Sequence, residues 1–212
     1  MSHPRATGLN LVFDFGGVLF HWQPHEIVQQ VLPELAPTRA AADRWVLDIF
    51  QGYGGDWGEF DRGTLAAAPL AERIARRTGL RVAQARAVID AVPHALTPIV
   101  QSVALLERLH QRGSALFYLS NMPGAYARHL QATHAFIGLF RRGLFSADVR
   151  LIKPEPAIFA HAAATFGIEP AQTLFIDDVV ANVDAARVAG WQALHFQSSQ
   201  QCEAALLQRG LL

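Results

Sequence analysis

Cysteine is almost absent. Cys202 is the one thiol in 212 residues, so neither an intramolecular disulfide nor a cysteine-built zinc site can form. Charge is sparse too, at 17% of residues against 51% hydrophobic, the reverse of the balance that keeps a chain disordered. The 18 basic and 18 acidic residues cancel, so the chain lacks the basic excess expected of a protein that binds nucleic acid or a membrane surface. Long hydrophobic runs are missing as well. The longest stretch without a charged side chain, Ala91 to Leu106, has 16 residues and is broken by Pro93 and Pro98, whereas a helix needs ~20 apolar residues to cross a bilayer. Met1 to Asn10 hold one arginine and no apolar signal core. There is no internal repeat, and the only compositional cluster is Gly52, Gly54, Gly55 and Gly58. What remains is a soluble, cytoplasmic chain, expected to form one domain or one domain with an insertion. At this length about 70% of the unfolded surface can be buried.

Lysine is scarcer than any other charged residue. Of the 18 basic residues 17 are arginine, and Lys153 is the exception. A coding bias toward arginine accounts for part of this. A chain that uses arginine everywhere else also keeps a lysine where a compact ammonium fits and a planar guanidinium does not.

Four short apolar runs read as buried strands: Leu9–Phe13, Ala115–Leu119, Thr173–Ile176 and Ala193–Phe196. Each is continuous rather than alternating, as in a parallel sheet covered on both faces. Helices are expected between them. One starts with Thr97 as N-cap and Pro98 as first residue and stops at Gly113; others span Glu155 to Phe166 and Asn182 to Ala189, ended by Gly167 and Gly190. Helix, glycine and strand recurring in this way point to an α/β doubly wound sheet. Residues 20–96 carry no convincing strand. Helices are predicted at Val28–Leu35, Ala40–Phe50, Leu65–Thr78 and Val82–Val92, with the glycine cluster as a turn. This segment reads as a helical insertion over the carboxyl edge of the sheet, where ligands of such folds bind.

Every strand end delivers polar groups to that edge. The first is followed by Asp14-Phe15-Gly16-Gly17-Val18, the second by Ser120-Asn121, and the third by Asp177-Asp178 with Asn182 and Asp184 beyond; Lys153-Pro154 lies in the connection between the last two. Each motif alone reads equally well as a turn or a helix cap. Together, in this order and with the stretch Lys153-Pro154-Glu155-Pro156-Ala157-Ile158-Phe159, they resemble the four motifs of the haloacid dehalogenase-like (HAD) hydrolase superfamily over nearly the whole chain. Asp14-Phe15-Gly16-Gly17-Val18-Leu19 with Trp22 and Pro24 is similar to a branch with a small helical cap that includes sugar-phosphate phosphatases. The resemblance implies a Rossmann-like core at 1–19 and 97–212, a cap domain at 20–96, and Mg²⁺-dependent hydrolysis of a small phosphate ester. Asp14 would be the nucleophile, forming an aspartyl-phosphate. Asp14, Asp177 and the Gly16 carbonyl would hold Mg²⁺, with Asp178 as a direct, water-mediated or orienting partner. Ser120 and the Asn121 amide would hold a phosphoryl oxygen, Lys153 would neutralise charge, and Gly17 would let the backbone approach the phosphate. Trp22, Tyr53, Trp57 and Phe60 are candidates for contacting the organic part of the substrate. Trp45 and the remaining histidines, His195 among them, read as packing or surface residues.

The sequence departs from the pattern at Gly16, where most phosphatases of the superfamily carry a second aspartate that serves as general acid and base. Such help is typically worth about 10²–10⁴-fold. Three routes around the gap stay open: a substitute acid such as His21 or His25, a substrate whose leaving group needs little protonation, or loss of catalysis. Two other functions compete: dehalogenation of a 2-haloacid by the same aspartate, and a non-catalytic phosphate- or metal-binding role. The paired acids Asp177-Asp178 suit magnesium and weigh against the first. Asp14, Lys153 and Asp177 together weigh against the second.

Overall fold

The computed structural model describes residues 8–212, so most of the N-terminal stretch read above as free of a signal core lies outside the described residues. Five strands form one parallel sheet in the order β3-β2-β1-β4-β5: β1 (Asn10–Phe13), β2 (Leu116–Ser120), β3 (Arg142–Phe145), β4 (Thr173–Asp177) and β5 (Gln192–His195). Side chains alternate across the central strands. Leu11, Phe13, Leu116, Tyr118, Leu174 and Ile176 pack in one apolar cluster with α6 (Val100–Gln111), α7 (Gly124–Thr133) and α11 (Ser199–Gln208). Val12, Phe117, Leu119 and Phe175 pack in the other with α9 (Pro156–Phe166) and α10 (Val180–Val188). Two covered faces explain why the central strands read as unbroken apolar runs. Gly167 ends α9 in a left-handed conformation, φ 67°, with its N–H on the Ala163 carbonyl at 3.0 Å. Among the described residues no helix is long and apolar enough to cross a membrane.

Three differences from expectation bear on how the insertion and the sheet meet. β3 has no continuous apolar run, because it is an edge strand with the sequence Arg-Gly-Leu-Phe. Gly143 is required there: its partner in register is Tyr118, whose ring would lie 1.9 Å from an added Cβ. The helix expected to start at Thr97-Pro98 begins at Val100 instead. Thr97 to Ile99 pair with Leu19 to His21, through His21 N–H on the Thr97 carbonyl and Ile99 N–H on the Leu19 carbonyl, both 2.8 Å. The inserted segment leaves and re-enters the sheet-bearing part through this pair of extended segments, so residues that would have capped the helix are spent on pairing.

The third difference lies inside the insertion. It folds as α1 (Pro24–Val31), α2 (Arg39–Phe50), α3 (Gly55–Asp61), α4 (Ala67–Thr78) and α5 (Val82–Ala95). Of the glycine cluster, expected to be a turn, Gly52 and Gly54 lie in a turn, whereas Gly55 and Gly58 belong to α3. The Asp56 N–H is received by Gln51 Oε1 at 3.0 Å, and the Asp56 carboxylate pairs with Arg73 and Arg77 of α4 at 3.1 and 2.6 Å. Gly58 permits the fit, since a Cβ there would lie 2.9 Å from the Tyr53 carbonyl. Trp57 and Phe60 are buried on the inner face, with Trp57 edge-on to Phe50 and Phe60 edge-on to Tyr126 of α7. Short α8 (Ser146–Val149) follows β3 and packs against α3.

Candidate active site

The carboxyl ends of β1, β2 and β4 converge with Lys153 on a cavity of about 350 Å³ between the sheet edge and the insertion. Asp14, directly after β1, is 7% exposed; its Oδ1 accepts the Phe15 N–H at 2.7 Å and lies 2.9 Å from Lys153 Nζ. Lys153 is 3% exposed and its ammonium also donates to Asp177 Oδ2 at 2.6 Å. The lone lysine of the chain therefore sits between two buried aspartates, 5.3 Å from the Phe175 ring centre. A compact point charge fits this slot, and a guanidinium fork would need more room.

Asn121 acts on the lysine rather than beside it. Its Nδ2 donates to the Lys153 carbonyl at 2.9 Å and its Oδ1 accepts the Lys153 N–H at 2.8 Å, clasping the loop that contains the cis Lys153–Pro154 bond. Asp177 is fully buried and saturated by the protein. Its Oδ1 accepts from Val179 N–H at 2.8 Å, and Asn182 Nδ2 reaches both oxygens at 3.1 Å. Asp178, by contrast, lines the cavity with Asp14 and Gly16. Its carboxylate packs over Gly17, where an added Cβ would meet Asp178 Oδ2 at 2.1 Å and φ is 73°. The close approach that Gly17 allows here is thus to Asp178. His195 supports this arm, with Nε2 3.0 Å from the Asp178 carbonyl oxygen.

Ligand oxygens of Asp14, Asp177 and Asp178 lie within 4.8 Å of one another. One ammonium cannot balance three carboxylates. Burial, opposed by Lys153 and reinforced by Asp177 and Asp178, raises the Asp14 carboxyl to about 7. Burial and then Asp177 raise Asp178 to about 6, against Lys153. Burial works against the Lys153 ammonium, but Asp14 and Asp177 outweigh it and hold the lysine above its ordinary range. The cluster is short of positive charge and offers only hard oxygen donors, the donor set that suits Mg²⁺. When bound, such an ion screens the nucleophile from an anionic substrate and polarises the oxygen it touches.

The rest of the cavity wall is mostly apolar. The insertion provides Trp22, Tyr53, Trp57, Val92 and Leu96, and the sheet-bearing part adds Met122, Pro123, Tyr126 and Val179. Trp22 Nε1 donates to Tyr53 Oη at 2.7 Å, tying two of these together. Phe60, expected at the substrate, stands behind the wall against Trp57 and Tyr126. Ser120 ends β2 with 2% exposure and is outside the lining. His21 is exposed and His25 lies beside Glu26 at 3.8 Å; neither lines the cavity, so both drop out as substitute acids. Trp45 packs at the outer side of the insertion, its Nε1 on the Leu35 carbonyl at 3.1 Å. One acid of the wall had no signal in the sequence: Asp61, in a glycine-rich helix with no motif around it.

Known proteins resemble this chain in sequence and in fold. A sesquiterpene phosphatase of Aspergillus oryzae is 27% identical over 188 residues, 89% of this chain and 89% of that protein. A phosphoglycolate phosphatase of Haemophilus influenzae is 36% identical over 88 residues, 40% of this chain and 38% of that protein. A HAD family enzyme of Bacteroides thetaiotaomicron, solved with magnesium and inorganic phosphate, shares the fold with a TM-score of 0.69 at 21% identity, covering 90% of this chain and 94% of that one. The family model for haloacid dehalogenase-like hydrolases matches residues 10–190, from the first residue of β1 to the glycine that follows α10. That span contains every strand end that feeds the cavity, and the chain belongs to the haloacid dehalogenase-like hydrolases.

Proposed function

We propose that the protein is a Mg²⁺-dependent phosphatase of small phosphate monoesters that works through an aspartyl-phosphate on Asp14. The observation that carries this reading is the Asp14 carboxylate, facing the cavity beside a buried ammonium at 2.9 Å and an open second carboxylate, Asp178. A carboxylate nucleophile splits phosphoester hydrolysis into two easier displacements. In this reading Asp14, Asp178 and the Gly16 carbonyl face the metal. Asp177, its oxygens already taken by Lys153, Asn182 and Val179, positions the lysine instead. Lys153 holds Asp14 in place and stabilises the charge that gathers on the transferring group. The Asn121 backbone is the part of this strand end placed to meet a phosphoryl oxygen, and Ser120, buried outside the lining, supports it from behind. Residues 20–96 act as the cap over a core of 1–19 and 97–212, and the cytoplasm is the compartment of action.

The apolar wall supports an ester whose organic part is largely hydrophobic. A sugar brings hydroxyls that each need a partner when buried, and the insertion supplies few polar side chains to the lining besides Tyr53 and Asp61. This favours terpenoid, alkyl or aryl phosphates over sugar phosphates, in line with the name of the Aspergillus oryzae relative. Release of inorganic phosphate from a panel of these esters, with and without Mg²⁺, tests the reading. Turnover is expected to need Mg²⁺ and to fall about 10⁴-fold or more in Asp14→Asn. Absence of phosphate release from every ester, with halide release from haloacids, would overturn it.

A further inference from the structure

Three aspartates are buried among the described residues: Asp14, Asp61 and Asp177. Two of them are tied to Lys153. Asp61 is 6% exposed, yet its carboxyl makes no hydrogen bond or ion pair with the described residues; it lines the same cavity as Asp14 and Lys153. With no protein partner, its oxygens open onto the cavity rather than into the core.

The chain around Asp61 is fastened to the sheet-bearing part. Ser146 Oγ donates to the Asp61 carbonyl at 2.5 Å while accepting the Met122 N–H at 2.8 Å. Arg62 forms a two-pronged ion pair with Glu155, and its Nη1 also donates to the Arg150 carbonyl at 3.3 Å. Gly63 lies flat on Ala147, where a Cβ would come within 3.0 Å. Asp61 therefore belongs to the insertion in sequence but is held in register with the catalytic edge by three successive residues.

Every local influence but one disfavours its charge. Burial is the largest, Asp14 adds to it, and only Lys153 opposes, leaving the carboxyl at about 8. As the last residue of α3 it also sits at the carbonyl end of a helix, where an anion is unfavourable. A carboxyl kept neutral in a cleft beside a nucleophile is arranged for proton donation. The other donors in the cavity are poorly placed for this. Tyr126 Oη is spent on the Ile89 carbonyl at 2.6 Å, Lys153 bridges two aspartates, and the Tyr53 phenol is raised, chiefly by burial, into a still weaker acid. Position 16 has no side chain.

We propose that Asp61 is the general acid of the reaction, delivering its proton to the leaving-group oxygen from the insertion side of the cavity. The proposal rests on the aspartyl-phosphate reading. In the first step Asp14 Oδ bonds to phosphorus and the ester P–O bond breaks. The electron pair goes to the leaving oxygen, which takes the Asp61 proton, giving the free alcohol, the aspartyl-phosphate and an Asp61 carboxylate. In the second step water attacks phosphorus and gives its proton to Asp61. The bond to Asp14 breaks with its electrons returning to the carboxylate, and inorganic phosphate leaves.

The test compares wild type with Asp61→Asn on dinitrophenyl, phenyl and alkyl phosphates in the presence of Mg²⁺. The loss in kcat/KM is expected to be about 10²–10⁴-fold for phenyl and alkyl esters and under about tenfold for the dinitrophenyl ester, whose leaving group needs no proton. The high-pH limb of the wild-type profile should vanish in the variant. Equal losses on all esters, or none, overturn the proposal. Trapping of Asp14 by beryllofluoride with Mg²⁺ should survive in Asp61→Asn and be lost in Asp14→Asn; its loss in both would make Asp61 a structural residue and defeat the assignment. A readout independent of turnover is difference infrared spectroscopy of the metal-free protein. A neutral carboxyl band present at neutral pH and missing in Asp61→Asn supports the donor. If wild type lacks the band the proposal fails, even if the variant does not fold. Wild type inactive on every ester would instead count against the aspartyl-phosphate reading.

Discussion

The two walls of the cavity follow opposite rules. On the sheet side nearly every polar atom is committed: Asp14, Asp177, Lys153, Asn121 and Asn182 hold one another in a closed network. On the insertion side the lining is aromatic and aliphatic, and its one carboxyl, Asp61, is unbonded. A bonded network fixes geometry, which phosphoryl chemistry needs to the fraction of an ångström. An apolar wall excludes water and sorts substrates by shape. Under the proposed function the sheet edge carries the reaction and the insertion chooses what reacts, with Asp61 on the insertion side of the shared cavity.

Lys153→Met attacks the networked wall and should have the largest effect. It leaves two buried aspartates facing each other without a cation. Breaking a buried pair costs about 3–5 kcal/mol, readable as a lower denaturation midpoint of the metal-free protein. Turnover should fall as well, by about 10²–10³-fold. If Lys153→Met melts and turns over like wild type, the closed network is not what holds this wall.

The pH dependence of stability separates Asp61 from its bonded neighbours. Its carboxyl lies near 8 when folded, against an ordinary value of 3.8. Between those values the folded state holds a proton that the unfolded state has lost, so stability falls as pH rises. Below the ordinary value both states are protonated and the term disappears. Asp61→Asn removes it, so denaturant titrations should show the variant gaining on wild type steadily from about pH 5 to about pH 8. A constant gap across that range would mean that Asp61 is ionised throughout.

The smallest effect is expected on the apolar wall. Tyr53 is partly exposed and contributes little to the core. Tyr53→Ala should raise KM for esters with a hydrophobic organic part by about tenfold and leave kcat nearly unchanged. A drop in kcat with KM intact would move Tyr53 from the sorting wall to the reacting one.

Legibility in the sequence divides along the same line. Asp14, Asn121, Lys153, Asp177 and Asp178 could be found because each follows a strand or closes a βα connection, and parallel strands bring those positions to one edge whatever the intervening loops do. The solitary lysine among 17 arginines pointed the same way. The strand β3 was hidden because an edge strand need not be apolar, and its glycine is explained only by the Tyr118 ring packed against it. α3 was hidden because its glycines read as breakers, whereas they are what lets the helix close on Tyr53. His21 and His25 are near Asp14 in sequence, yet the chain turns both away from the cavity.

By itself the sequence determined the class of sheet, the order of its motifs and the group of side chains that share one end of it, because periodicity and strand polarity are local properties that translate directly into position. Tertiary structure alone decided which of two adjacent aspartates faces the cavity, that Asn121 clasps the lysine loop, and that Asp61 lines the same cavity as Asp14. Those outcomes depend on how a helical insertion docks across a cleft, through contacts such as Ser146 with Asp61 and Glu155 with Arg62 that join residues far apart in the chain, and no local pattern encodes such a docking.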